Sequence, residues 1–103
     1  MKRLTFPCSI GQLDRANNEA GLHYFESSTM RFFRSLIHSD EVSPNGLFIT
    51  SEQAGDEHPR LYSIRQASED GSINTLPGTE FQQFASLDEA DEARRAWDVR
   101  LTA

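Results

Sequence analysis

Gly21-Leu22-His23-Tyr24-Phe25, followed after Glu26-Ser27-Ser28 by Thr29-Met30-Arg31-Phe32-Phe33, is the stretch that decides how this chain folds. Tyr24, Phe25, Phe32 and Phe33 lie close together, with His23 beside them and Arg31 among them. That much aromatic surface is unfavourable in water, so the block is expected to organise the core. It names no reaction.

Outward from this block the periodicity changes twice. Upstream, Ser9 and Gln12 have the spacing of a capping box, and Ile10, Leu13, Ala16 and Ala20 follow at helical spacing. Gly21 suits the left-handed residue that closes such a helix, which Gly11 and Asn17-Asn18 weaken. A very short helix is expected over Thr29–Phe33, capped by Ser27 or Ser28. Downstream, residues 35–39 alternate as a strand, Ser43-Pro44-Asn45-Gly46 reads as a turn, and Leu47–Ser51 resumes as a strand. These two strands are expected to form an antiparallel hairpin, with Leu47 and Ile49 on one face and Phe48 and Thr50 on the other. Glu52–Pro59 reads as a loop. Leu61–Gln66 and Ile73–Leu76 read as further strands joined at Asp70-Gly71. Phe81–Phe84 adds a short strand or lies across the sheet. The clearest element is last: Ser86 caps a helix with Glu89 at its third position, and Leu87, Ala90, Ala93, Trp97 and Leu101 form one stripe.

The fold class expected is therefore α+β. It has a small antiparallel sheet of three to five strands, a C-terminal helix packed on it and a short N-terminal helix. One core over a single domain, residues 1–103, is expected from the length. Phe32, Phe33, Phe48, Ile49, Tyr62 and Ile64 are its expected members. Apolar residues at 37% are few, yet the large ones are too many for a disordered chain. One cysteine, Cys8, excludes an internal disulfide and fits a reducing compartment. No apolar run reaches the length of a membrane span, and the first residues lack the apolar stretch of a signal peptide.

The formal net charge is −6, and it is unevenly spread. Residues 1–38 carry five basic and three acidic side chains; residues 39–79 carry two against seven; residues 80–103 carry three against six. A negative field over most of the chain repels phosphate backbones, which disfavours general nucleic-acid binding and suits a basic partner. Ordinary solubility explains the same charges without any partner.

Catalytic patterns are sparse. Cys8, His23, His38 and His58 are scattered, with no metal-ligand spacing, although His38-Ser39-Asp40 brings two ligand types close. Gly-x-Ser-x-Gly is absent, and no two glycines approach the spacing of a phosphate-binding loop. The paired acids Asp40-Glu41, Asp56-Glu57 and Glu69-Asp70 fall in expected loops or turns, where water solvates them. An enzyme would need His58, Tyr62, Glu52 and an arginine to converge in a cleft. Arg31 and Arg65 are expected to pair with acids such as Glu52 or Glu80.

The motif series Gly21–Phe25, Thr29–Phe33, Phe48-Ile49-Thr50-Ser51-Glu52, Arg60-Leu61-Tyr62-Ser63-Ile64-Arg65 and Gly78-Thr79-Glu80-Phe81-Gln82 resembles a family of small uncharacterised proteins of bacteriophages, prophages and plasmids. The resemblance spans about residues 20–97, judged from motif order. The last motif usually reads Gly-Glu-Phe-Gln; here Thr79 interrupts it and Pro77 precedes it. The resemblance implies a mobile-element origin and a bacterial cytoplasm. It brings no activity, catalytic residue or cofactor.

The function expected is that of a non-catalytic acidic protein that binds a host bacterial protein. An inhibitor of a defence system, of the anti-CRISPR or anti-restriction kind, fits this description. Glu52, Asp56 and Glu57 in the loop, and Asp88, Glu89, Asp91 and Glu92 in the last helix, are the expected partner-binding acids, imitating phosphates in a basic groove. No cofactor, no metal, no direct nucleic-acid contact and no membrane are expected. The alternative is a nucleic-acid-binding or regulatory accessory protein that uses Arg31, Arg34 and exposed aromatics of the N-terminal third. Burial of positions 24, 25, 32 and 33 would count against it.

Overall fold

The computed structural model describes residues 3–103; Lys2, one of the five cations of the N-terminal third, lies outside them. The order of elements is β1 (Cys8–Ser9), α1 (Ile10–Glu19), α2 (Ser27–Phe32), β2 (Leu36–Ile37), β3 (Glu41–Val42), β4 (Leu47–Gln53), β5 (Arg60–Ala67), β6 (Ile73–Thr75) and α3 (Leu87–Thr102). The fold is α+β: a four-stranded antiparallel sheet ordered β2-β4-β5-β6, and a two-stranded sheet of β1 and β3.

The expected hairpin forms with a detour. β2 pairs antiparallel with β4, but residues 41–42 between them leave the main sheet and pair with β1, making the second sheet. The turn before β4 is closed by Gly46 N–H donating to the Ser43 carbonyl at 2.8 Å. Gly46 has φ +83°, and a Cβ there would lie 2.5 Å from the Ala67 carbonyl oxygen, so both backbone and space require glycine.

β4 is the centre of the molecule, and six of its seven residues are buried. A strand covered on both faces builds two clusters rather than the single core expected. On one face Phe48 and Ala67 pack with Leu13 of α1, Val42 and Cys8, joined by Phe25 and Ile37. On the other, Leu47, Ile64 and Leu76 pack with Ala93 and Trp97 of α3 and with Phe84. Ala90 is buried too, whereas Leu87 and Leu101 at the two ends of the α3 stripe are exposed.

The helix ends follow their chemistry. Ser9 caps α1 in a reciprocal capping box with Gln12, as its spacing predicts. Ser86 accepts from Glu89 N–H to cap α3, while the Glu89 carboxylate reaches Ala85 N–H, so the box is half-formed. For α2 the N-cap is Glu26, without a side-chain cap bond, rather than Ser27 or Ser28. Asn17, expected to weaken α1, is buried and joins two segments. Its Nδ2 donates to the Gly71 carbonyl at 2.9 Å, and its Oδ1 accepts from Tyr24 N–H at 2.8 Å.

Phe32 and Phe33 are a correction. They are 80% and 44% exposed, and α2 buries none of its residues. Tyr24 and Phe25 turn inward and pack edge to face at 5.0 Å. The rings of Phe32 and Phe33 pack on each other at 4.9 Å and stay exposed, because the end of β4 beside them carries Glu52 and Gln53 rather than apolar side chains.

Candidate functional site

Alternation along β4 places Phe48, Thr50 and Glu52 on one face, and the register with β5 adds Arg65, Ser63 and Leu61 to it. The Phe48 end of this face is apolar. The Glu52 end is polar and closed over by Tyr24 and Phe81.

Glu52 is the hub. It was expected in an exposed loop among the partner-binding acids, and that expectation is corrected: β4 continues through Gln53, and Glu52 is 1% exposed. Its Oε1 accepts from Ser63 Oγ at 2.9 Å; its Oε2 accepts from Thr50 Oγ1 at 2.6 Å and Arg65 Nη2 at 3.2 Å. Arg65 spends its other donors on Thr50 Oγ1 at 3.1 Å and Thr75 Oγ1 at 3.3 Å. Glu52 is thus one of the acids expected to pair with Arg65. A buried charge of this kind persists only when it is paired and fully hydrogen-bonded.

Two connections carry the network to the surface. Ser63 Oγ accepts from Gln82 N–H at 2.7 Å. The Arg65 guanidinium lies 5.1 Å from the Phe81 ring centre and 5.8 Å from that of Tyr24, within cation–π range. Gln82 is held at φ +59°, a left-handed conformation that a non-glycine residue keeps only under local constraint. The Tyr24 hydroxyl is buried without a formed hydrogen bond. Burial raises its pKa, the Glu52 charge adds to the rise, and Arg65 opposes it.

Above the network lies an open groove of about 370 Å³, lined by Phe32, Phe33, Gln53, Ala54, Phe81 and Gln82, with Glu52 at its floor. Phe81 is 45% exposed. Arg34, just beyond Phe33, is also left-handed at φ +49° and bonds the Asp56 carboxylate, which it holds below the usual carboxylate range. Each of the five segments quoted for the family resemblance supplies part of this place. They contribute Tyr24; Phe32 and Phe33; Thr50 and Glu52; Ser63 and Arg65; and Phe81 and Gln82.

The other expected acids are spread out. Asp56 and Glu57 are exposed in the β4–β5 loop, and Asp88, Glu89 and Glu92 are exposed on α3. Asp91 is half-buried and bridges Arg94 at 3.0 Å and Arg95 at 2.6 Å, so its charge is largely satisfied within the helix. The four groups required for an enzyme do not meet. Glu52 and Tyr62 lie on opposite faces of the sheet, and His58 is exposed in the loop. On the Tyr62 face, His38 Nε2 lies 2.7 Å from Ser51 Oγ, which also accepts from Arg60 Nη1 at 2.9 Å. Ser51 is fully buried, so this serine–histidine contact ties β2 to β4 and presents no nucleophile. Among the described residues no group of three or more His, Cys, Asp or Glu is placed to hold a metal ion, and no helix is long and apolar enough to cross a membrane.

Sequence reasoning missed the site residues Phe81, Gln82 and Ser63. It also placed Phe32 and Phe33 in the core. The available signal was the alternation Phe48, Thr50, Glu52, which carries the strand beyond Ser51 and turns the carboxylate inward.

Residues 9–95 match the family of unknown function DUF7447, and the chain belongs to that family. No curated protein and no solved structure matches it.

Proposed function

We propose that this member of the DUF7447 family is a non-catalytic binding protein whose partner is a host bacterial protein. We further propose that it acts as an inhibitor of a nucleic-acid-handling defence system, of the anti-CRISPR or anti-restriction kind. The observation that carries the binding role is the groove itself. Three phenylalanines stand exposed around a floor whose one carboxylate has both oxygens engaged inside the fold. An exposed aromatic cluster on a rigid base is characteristic of a contact surface. A carboxylate that already accepts three hydrogen bonds inside the fold is poorly placed for acid–base work.

The exposed carboxylates Glu57, Asp88, Glu89 and Glu92 support a basic partner, whereas Asp56 is already paired with Arg34. They would steer the encounter, with a salt dependence set by screening over about 8–10 Å. Phage origin and a cytoplasmic site of action belong to the same proposal and rest on the motif resemblance.

The test is the plating efficiency of a phage on bacteria carrying an active CRISPR or restriction system, with and without this chain expressed. Restored plating that is lost on Asp88→Lys/Glu89→Lys/Glu92→Lys or on Phe32→Ala supports the reading. Unchanged plating across several such systems, with the protein folded and abundant, contradicts it.

The exposure of Phe32 and Phe33 favours the nucleic-acid reading, while Tyr24 and Phe25 are half-buried. Of the neighbouring cations, exposed Arg31 is in no ion pair among the described residues, but the rest count against this reading: Arg34 is bound to Asp56, Arg65 is committed to the interior, and Arg60 donates to the Arg34 carbonyl and Ser51.

A further inference from the structure

We infer that the groove between Phe32, Phe33 and Phe81 receives one large apolar side chain of a protein partner, presented with a lysine or arginine on either side of it. This rests on the reading of the chain as a protein-binding module and names what that module recognises.

The size of the groove comes first. About 370 Å³ lies at the small end of ligand-sized clefts, so the groove takes one large side chain with a little flanking chain and no folded element. Its walls are braced by contacts within the fold. Phe32 and Phe33 brace each other edge to face at 4.9 Å, Arg65 stacks on Phe81, and Ser63 holds the Gln82 backbone. A pocket that needs no ordering on binding loses little affinity to conformational entropy.

The charge around it decides the occupant. Of the cations near the groove, Arg34 and Arg65 are ion-paired with Asp56 and Glu52, while Arg31 spends only its Nε, on the Ser27 carbonyl, and keeps its charge. By contrast, Glu80, next to Phe81, and Glu57, in the loop that begins at Ala54, are exposed. Among the described residues neither side chain has a hydrogen-bond or ion-pair partner. The exposed faces of Phe32 and Phe81 add an attraction for cations. An apolar centre with unpaired carboxylates beside it complements an apolar side chain flanked by positive charge. It opposes a phosphate backbone, which would meet these carboxylates with like charge.

The test uses the full chain, isotopically labelled for amide-resolved NMR, and three peptide probes. These are acetyl-Lys-Gly-Trp-Gly-Lys-amide, its Glu-for-Lys counterpart, and the Lys peptide with Ala for Trp. The Lys–Trp peptide should shift the amides of Phe33, Ala54 and Gln82 saturably. It should bind about tenfold more tightly than the Glu–Trp peptide, since two partly exposed charge contacts are worth about 1.4 kcal/mol together. The alanine peptide should give no saturable shift. Phe32→Ala, a substitution at an 80% exposed ring, should abolish the response with the rest of the spectrum unmoved. Glu57→Lys/Glu80→Lys should reverse the preference between the two Trp peptides.

The inference is overturned by equal affinity for both Trp peptides, by shifts elsewhere than the groove, or by Phe32→Ala leaving them intact. It is also overturned if oligo(dT) moves the same amides more strongly, or if those amides shift with protein concentration alone, which would indicate a second copy of the chain. Failure here with restored phage plating overturns only this recognition mode. Peptide binding in the groove without any effect on plating overturns the proposed inhibitory function instead.

Discussion

Arg65 is stacked 5.1 Å from the centre of the exposed Phe81 ring while its Nη2 is bonded to the buried Glu52 carboxylate at 3.2 Å. One guanidinium therefore links the interior of the sheet to the rim of the groove. The charge that pins Arg65 in place is the same one that anchors Ser63, and through it the Gln82 backbone. The groove's geometry is thus a consequence of β4 and β5 pairing in register.

Replacing Glu52 by glutamine leaves Arg65 without its counter-ion and puts an NH2 group where Thr50 or Ser63 donates. Removing one partner of a buried pair costs about 3–5 kcal/mol, so a large loss of urea stability is expected. Glu57→Gln, in the exposed loop, should change stability by less than about 0.5 kcal/mol. Equal, small effects at both positions would place Glu52 in solvent.

Phenylalanines at different depths should separate cleanly. Phe48→Ala empties the centre of one cluster and should cost about 3–5 kcal/mol. Phe32→Ala should cost no more than about 0.5 kcal/mol, because its ring is mostly in water already. A melting temperature that falls equally for both would restore Phe32 to the core.

Neighbouring asparagines give a second contrast. Asn17→Ala removes the partner of both the Tyr24 N–H and the Gly71 carbonyl, at a cost of about 1–3 kcal/mol for each group left unsatisfied. The exposed Asn18 side chain bonds only the Asp14 carboxylate one turn away, so Asn18→Ala should be neutral or slightly stabilising through helix propensity. Equal destabilisation would contradict Asn17 as a tertiary clamp.

Acid should weaken the fold through His38. Burial first, then the neighbouring Arg60, hold its imidazole below the usual value of 6.5, with Glu52 pulling weakly the other way. Between that depressed value and 6.5 the unfolded chain takes up a proton that the folded chain refuses. Stability is therefore present above 6.5 and declines as pH falls through this window. His38→Gln should flatten the change in melting temperature between about pH 7.5 and 5.5. Asp56 acts lower, because its carboxyl is held below 3.8 by Arg34 and loses that contribution only in stronger acid. An unchanged pH profile in His38→Gln would assign the acid sensitivity elsewhere.

Much of the fold was readable from residues. The capping box at Ser9, the turn at residues 43–46, the alternation in Leu47–Ser51 and the α3 stripe through Trp97 are local patterns, and each appears where its pattern lies. The departures are non-local. Nothing near Glu41 says that it pairs with Ser9 rather than joining the main sheet. Nothing in Phe32-Phe33 says that their helix lies at the polar Glu52–Gln53 end of β4 and buries none of its residues. The site was half legible: an Arg65–Glu52 pair follows from complementary charge, but Phe81 and Gln82 reach it only through a loop held by Ser63.

The central claim is that a buried polar network holds the aromatic groove in place. Amide hydrogen exchange at Gln82 tests it most directly, because that N–H sits outside any helix or strand and is bonded only to the Ser63 hydroxyl. The amide of Gln82 should exchange much more slowly than that of Phe81, and Ser63→Ala should release it while the amides of Ile49 and Ile64 stay protected. Exchange of Gln82 as fast as Phe81 in the native protein, or unaffected by Ser63→Ala, would contradict the claim.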